Sequence, residues 1–114
     1  MSIRPQILCP ETVLGITAAT LATGPSGGWA LVKRAVFTAY SGNAGNVTIT
    51  VYRVISGDSA VQGNVVIDTM TLTPGQAYTA PELANMVLND GDTIQALCSS
   101  ASAVNATISG FTGP

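Results

Sequence analysis

The stretch that decides the fold is Val47-Thr48-Ile49-Thr50-Val51-Tyr52. Its apolar Val and Ile side chains alternate with Thr and Tyr. Because successive side chains of a β-strand point to opposite faces, this period of two predicts a strand with one buried face and one solvated face. The stretch therefore predicts a β-rich fold.

Upstream of this strand lies a longer β-rich run at residues 29–40. It follows the breaker cluster at residues 24–28, Gly-Pro-Ser-Gly-Gly, and it ends at the Gly- and Asn-rich residues 41–46. Such clusters mark turns and loops. We therefore expect residues 29–40 and 47–52 to form an antiparallel pair across the loop.

Further strands are predicted downstream and near the N-terminus. Residues 65–73 alternate less regularly, and residues 93–98 and 104–111 flank a Ser- and Ala-rich segment that predicts a terminal hairpin. The β-branched residues between 12 and 23 predict one more strand.

One segment favours a short helix instead. Residues 81–88 begin with Pro81, which suits a first helical position, and Glu82 lies in the first turn. Asn89-Asp90-Gly91 then supplies a stop. This pattern predicts a short connecting helix.

About six strands at regular spacing, joined by Gly, Asn and Ser turns, predict an all-β fold: an antiparallel β-sandwich or jelly-roll-like barrel with one short connecting helix. We expect a single domain over residues 11–114. Residues 1–10 contain two prolines and little periodicity, so they are predicted to be an extended N-terminal arm, frayed or docked on a neighbour.

Charge is unusually sparse, at 9% of residues against about 25% in typical proteins. Two explanations stay open: an outer face covered by partners, or a Thr- and Ser-rich domain that is soluble without many charges. Four basic residues at a net charge of −2 argue against nucleic-acid binding. No stretch approaches 18 uncharged apolar residues, so no membrane span is expected. Without a secretory h-region after Met1, we expect synthesis in the cytoplasm.

The residue inventory argues against an enzyme. The chain has no histidine, the commonest general base and metal ligand, and no phosphate-cradling glycine motif. Cys9 and Cys98 are expected to be free thiols, with Cys98 in the core. Asp90 and Asp92 flank Gly91, which favours turn chemistry over a surface Ca²⁺ site shared with Asp58. We expect no catalytic residue, no metal and no cofactor.

Lys33 and Arg34 are adjacent within the predicted strand over residues 29–40. In a regular strand their side chains point to opposite faces, so one of them should lie on the apolar face. Two interpretations stay open: an edge strand protected by charge, or an ion pair between subunits.

Trp29, Tyr40, Tyr52 and Tyr78 could be platforms for a sugar or a protein partner. Core filling and packing at strand ends are the more ordinary roles of aromatic residues in β-proteins.

Two blocks of sequence resemble a known group of proteins. The first comprises residues 33–38, the strand that ends at Tyr52, and residues 72–78; the second comprises residues 81–83, 87–88, 91–97 and 101–104. Over about residues 29–111 they resemble the small virion proteins encoded in many tailed-phage and prophage genomes. Gly91-Asp92-Thr93-Ile94-Gln95-Ala96-Leu97 is the most specific part. The resemblance implies a β-sandwich that docks on a capsid or tail in several copies and carries no catalytic motif.

The leading hypothesis is a capsid decoration (cement) protein, located in the virion. Copies of the chain, expected as homotrimers, would bind the major capsid protein outside the shell and clamp neighbouring capsomers. A tail, neck or fibre-attachment component, docked on other virion proteins at low copy number, is the first alternative. A carbohydrate-binding adhesin module using Trp29 and the loop tyrosines is the second. The candidate interface residues are Ile3, Arg4, Trp29, Lys33, Arg34, Tyr40, Tyr52 and Arg53.

Overall fold

The computed structural model describes residues 3–113, which form a β-sandwich of two antiparallel sheets. The strands are β1 (Arg4–Val13), β2 (Ala19–Thr23), β3 (Trp29–Ala39), β4 (Val47–Val54), β5 (Val65–Leu72), β6 (Ala77–Thr79), β7 (Val87–Asn89), β8 (Thr93–Cys98) and β9 (Val104–Gly113). A 3₁₀ turn at Gln62–Asn64 precedes β5. The predicted all-β sandwich is confirmed.

The strands divide into a five-stranded and a four-stranded sheet. The five-stranded sheet has the order β1-β9-β3, and β6 and β7 both pair with the far side of β3. The four-stranded sheet has the order β2-β8-β4-β5. Among these pairs, β4 and β5 are the only partners that follow one another along the chain.

Both predicted hairpins between neighbouring segments are therefore wrong. β3 and β4 lie in different sheets, and so do β8 and β9. The connecting loops at residues 40–46 and 99–103 cross between sheets that pack about 10 Å apart, a distance that a few extended residues span. Period-two alternation is the same in a hairpin and in a crossover, so it identifies the strands but not their partners.

The predicted N-terminal arm is part of this sheet. Residues 4–10 are extended, but they belong to β1, which pairs with β9 from Arg4↔Thr112 to Val13↔Asn105. The domain boundary predicted at residue 10 therefore falls inside a strand. Pro5 and Pro10 are tolerated because β1 is an edge strand and because the register with β9 shifts on both sides of Cys9. Residues 1 and 2 of the predicted arm lie outside the described part of the chain.

The predicted helix over residues 81–88 is also wrong. Residues 81–85 form turns, and the segment then enters β7. Asn85 has a left-handed backbone with φ of 66°. Its N–H donates to Val32 O, and Val32 N–H donates to Met86 O, so hydrogen bonds to β3 replace helical ones. Pairing with a neighbouring strand outweighs the weak local helix signal.

The core lies between the two sheets and combines large and small side chains. Phe37 is fully buried, with Ala106 of β9 opposite it on one side and Tyr78 of β6 on the other. Ile49 and Ile94 contribute from the four-stranded sheet. A large ring beside alanine lets facing layers interdigitate at the density of a protein interior.

Candidate functional site

A β-bulge in β3 places two cations on the same face of the five-stranded sheet. Val32 pairs with Gly110 and Arg34 pairs with Ser109, so Lys33 is the extra residue. Lys33 and Arg34 are both exposed, and both border the outer surface around Ile7 and Ser109. The prediction that they point to opposite faces is wrong, because a bulge interrupts the alternation. The edge-strand interpretation is wrong as well, since β3 is flanked on both sides.

Gly110 makes room for this bulge. A Cβ atom at Gly110 would collide with the backbone oxygen of Leu31 and would lie 3.0 Å from Lys33 N. Bulges commonly redirect side chains at functional positions.

The two cations border a groove, which we call the β1–β9–β3 groove and define by Ile7, Lys33, Arg34, Val36 and Phe111. Ile7 is 73% exposed, unusually high for an isoleucine within a sheet. The part between Ile7, Arg34 and Val36 is an open depression with a volume of about 730 Å³. A concave surface that combines apolar side chains with cations suits the docking of an apolar, acidic segment.

A second apolar surface lies on the loop that joins β4 to β5. We call it the β4–β5 loop surface and define it by Ile55, Asp58 and Val61, which line a pocket there together with Arg53. Ile55 and Val61 are each 56% exposed. Hydrogen bonds within the loop hold its shape: Asp58 N–H donates to Ile55 O at 2.9 Å, the Asn64 side chain donates to Ser59 O at 2.9 Å, and Val61 N–H donates to Asn64 Oδ1 at 3.0 Å.

Asp92 holds the start of this loop in place. It is the one buried polar or charged side chain among the residues described, and its Oδ1 accepts from Ser56 N–H at 3.0 Å. Its Oδ2 accepts from Asn89 N–H at 3.1 Å and pairs with Arg53 Nη2 at 3.4 Å. Arg53 Nη2 also donates to Val87 O at 2.9 Å. Arg53, a predicted interface residue, therefore makes intramolecular contacts.

Asp90 has a similar role, because its Oδ2 accepts from Gly27 N–H at 2.9 Å and ties two loops together. Both aspartates thus act in turns and loops, the role that turn chemistry predicts. Within residues 3–113, no group of three or more potential His, Cys, Asp or Glu ligands comes together. That same part of the chain contains no helix of the length and apolar character needed to cross a bilayer.

The aromatic residues do not form one platform. Trp29 is half-buried at the start of β3, where its ring packs over Gly113. Tyr40, 63% exposed, follows the far end of β3, so more than about 30 Å of strand separates the two rings. Tyr52 lies on the four-stranded sheet opposite Gln95. No single sugar can span these rings.

Tyr78 forms a local pair with Glu82 beside β6. Its hydroxyl donates to the Glu82 carboxylate, with oxygen distances of 2.7 and 2.9 Å. This hydrogen bond, then partial burial, then the negative charge of Glu82 raise the pKa of Tyr78 to about 12.

The two remaining predicted interface residues lie near the N-terminus. Ile3 is 59% exposed just before β1, and Arg4 is exposed as the first residue of β1. Of the eight candidates, the structure brings only Lys33 and Arg34 together at the groove. Ile7, Phe111, Ile55 and Val61 were missed, because local sequence does not show which apolar side chains the tertiary structure leaves outside the core.

Both cysteines are free thiols with 1% exposure. Cys98 Sγ donates to Ser100 O at 2.8 Å, and Cys9 Sγ lies 3.4 Å from Thr12 Oγ1. Neither sulfur reaches the surface of the folded domain.

In comparison with known proteins, this chain is similar to solved structures in its fold. No protein-family model matches the chain, and no curated protein matches its sequence. A chain from the Bacillus endospore appendages, described as a novel family of disulfide-linked pili, superposes with a TM-score of 0.52 at 19% identity, covering 97% of this chain and 87% of that one. A chain of the Gt strain of infectious bursal disease virus gives a TM-score of 0.45 at 13% identity, covering 97% of this chain and 32% of the viral one. The first likeness shows a shared β-fold, and the second is too distant for an argument.

Proposed function

We propose that this chain is a structural building block of an ordered multi-copy assembly, and specifically a decoration protein on the capsid of a phage-like particle. The observation that carries the proposal is the β1–β9–β3 groove, where Ile7 is 73% exposed beside two cations on a domain with only 9% charged residues. A rigid sheet face with exposed apolar residues suits docking to another protein. The resemblance to small tailed-phage virion proteins supports the choice of partner.

The mechanism is mass action on the assembled shell. A protein that binds the lattice, but not free capsomers, stabilises the lattice by RT ln(1 + [L]/Kd) per site. The chain would bind the major capsid protein outside the shell, with homotrimers at local threefold axes clamping neighbouring capsomers. Such a role needs surface complementarity and no catalytic group.

Copy number tests the proposal against a tail, neck or fibre-attachment role. Quantitative mass spectrometry of purified particles should give hundreds of copies, in fixed ratio to the major capsid protein. Six or twelve copies per particle would exclude decoration.

Shell binding tests the groove itself. Ile7→Asp should lower occupancy on undecorated shells at least tenfold, because it places a charge in the apolar docking surface. Ile16→Asp is the matched control, since Ile16 is 62% exposed in the loop between β1 and β2 and does not border the groove. Equal occupancy of the two variants, both folded by circular dichroism, would remove the groove from the proposal.

A second candidate, a subunit of an extracellular filament, is favoured by one observation. The spore-appendage chain matches over nearly the whole of both chains. That protein is described as disulfide-linked, whereas Cys9 and Cys98 are buried here. Disulfides of Cys9 or Cys98 would therefore not link the subunits in a filament of this chain. Electron microscopy of the concentrated protein, with and without reductant, tests this candidate. Filaments that persist in reductant would support it, and their absence would count against it.

A further inference from the structure

One end of the five-stranded sheet carries an open pocket that the proposed docking role does not use. The register puts Val13, Asn105 and Thr38 side by side in one row across β1, β9 and β3, and all three are exposed. Two residues beyond Thr38, Tyr40 lines the same pocket, whereas Ala39 between them is buried. The pocket has a volume of about 420 Å³ and shares no lining residue with the β1–β9–β3 groove.

Hydrogen bonds between loops give this pocket a fixed shape. Tyr40 N–H donates to Ala103 O at 2.9 Å, and the Asn43 side chain donates to the same oxygen at 3.0 Å. Gly75 N–H donates to Ala39 O at 3.1 Å, so the turn between β5 and β6 is tied to the end of β3. A preformed pocket binds a ligand without the entropic cost of ordering its loops.

The Tyr40 ring is exposed, and its position depends on Gly42. The Tyr40 side chain is 63% exposed. A Cβ atom at Gly42 would collide with Cε2 and Cζ of the ring and would lie 3.0 Å from the hydroxyl oxygen. Gly42 therefore leaves the space in which the ring lies. An exposed tyrosine ring offers a ligand both an apolar face and a polar hydroxyl.

The polar groups of the pocket are uncharged. Besides Tyr40, its hydrogen-bonding side chains are the hydroxyls of Thr38, Ser41 and Ser102 and the amide of Asn105, all exposed. Hydroxyl and amide groups both donate and accept hydrogen bonds. No charged side chain is among the described residues that line the pocket, so a phosphate, a carboxylate or an amine would find no counter-charge there.

A peptide strand fits this pocket less well than a small ligand does. Extended peptides add to the free edge of a sheet, where backbone groups are unpaired. At Asn105, β9 lies between β1 and β3 and is paired with both. The pocket therefore offers side chains to a ligand, and no free strand edge.

We infer that this pocket binds an uncharged sugar of a glycan. The Tyr40 ring stacks on the apolar C–H face of the sugar, and the hydroxyl and amide side chains around it hydrogen-bond the sugar hydroxyls. A site built to pair hydroxyl groups rejects ligands that lack them, because its polar groups would then be left unpaired. The site uses Tyr40 without Trp29, and it does not rest on the decoration role.

Binding of the isolated protein to an array of neutral and acidic glycans tests the site. Wild type should bind neutral glycans, with signals that do not fall as the salt concentration rises, since no ion pair holds the ligand. Binding to acidic glycans alone, or to no glycan, would overturn the inference.

Variants of the ring locate the binding. Tyr40→Ala should lower the affinity for the best neutral glycan about tenfold, whereas Tyr40→Phe, which keeps the ring, should bind nearly as well as wild type. Tyr52→Ala is the matched control, because Tyr52 lies on the four-stranded sheet and does not line the pocket. Equal affinity of Tyr40→Ala and Tyr52→Ala, both folded by circular dichroism, would overturn the inference.

Gly42→Ala tests the stacking without removing any group that binds. Its methyl group should displace the far end of the Tyr40 side chain and weaken glycan binding several-fold. The melting temperature should stay unchanged, because the atoms that must move belong to an exposed side chain and not to the backbone. Wild-type affinity in this variant would overturn the stacking geometry.

Shell binding separates the sugar site from the proposed function. If Tyr40→Ala occupies shells like wild type but loses the glycan, the sugar site stands, whether or not the groove binds the capsid. If Tyr40→Ala loses shell occupancy and wild type binds no glycan, the pocket belongs to a protein interface; the sugar site is then overturned while decoration stands.

Discussion

At the scale of single residues, Gly110 and Lys33 show how the absence of one side chain shapes a surface. The bulge at Lys33 turns two cations to one face, and the close approach of Leu31 leaves no space for a Cβ atom at Gly110. The groove therefore depends on a residue that contributes no side chain to it.

Gly110→Ala should lower the free energy of unfolding by about 1–3 kcal/mol, the range typical of overpacking, because backbone atoms must move to admit the methyl group. Gly45→Ala is the control, since a Cβ atom there meets nothing within 4 Å. Urea unfolding of both variants measures the difference. Equal stability would show that the bulge adapts freely.

The Tyr78 phenol should lose its proton at a higher pH than an ordinary tyrosine. Its pKa is raised to about 12 from the usual 10, because the folded state favours the protonated phenol that donates to Glu82. The sign follows from linkage: the stabilisation is fully present below about pH 10 and is lost as the pH rises toward 12. Ultraviolet absorbance of tyrosinate should show a late phase that Tyr78→Phe lacks and that Glu82→Gln moves to lower pH. A late phase unchanged in Glu82→Gln would exclude Glu82 as its cause.

At the scale of elements, the strands followed from local pattern and their partners did not. Residues 47–52, 65–73 and 93–98 all lie in strands close to their predicted limits. Their pairing depends on which loops cross the sandwich, and a loop of five to seven residues fits a crossover as well as a hairpin. β1 was missed because its two prolines hide a strand that only an edge position and a shifted register allow.

Removing residues 1–10 should destabilise the domain. If these residues were an arm outside the domain, as the sequence predicts, their removal would leave its stability unchanged. The deletion takes away most of the β1 pairing to β9 and the buried side chain of Cys9. With about 1 kcal/mol per lost backbone hydrogen bond, the loss should reach several kcal/mol. Thermal unfolding measures it, with Ile3→Ser as the control because Ile3 precedes β1 and is exposed. An unchanged melting temperature would show that β1 is not needed for folding.

At the scale of the whole molecule, the two thiols report on the closed sandwich. Cys9 comes from the five-stranded sheet and Cys98 from the four-stranded sheet, and both are buried. A thiol reagent should therefore label them only when the sandwich opens, at rates that rise with denaturant in step with unfolding. Rapid labelling of native protein would show that one edge opens locally.

Sequence alone determined the class of this protein. Period-two alternation and Gly-rich turns specify β-strands, and the structure has the all-β fold that they predict. Only the tertiary structure decided which strands pair, that residues 4–10 are a strand, and that Lys33 and Arg34 share one face with Ile7. The reason is physical: alternation is set by neighbours along the chain, whereas pairing, bulges and exposure are set by contacts between residues far apart in sequence.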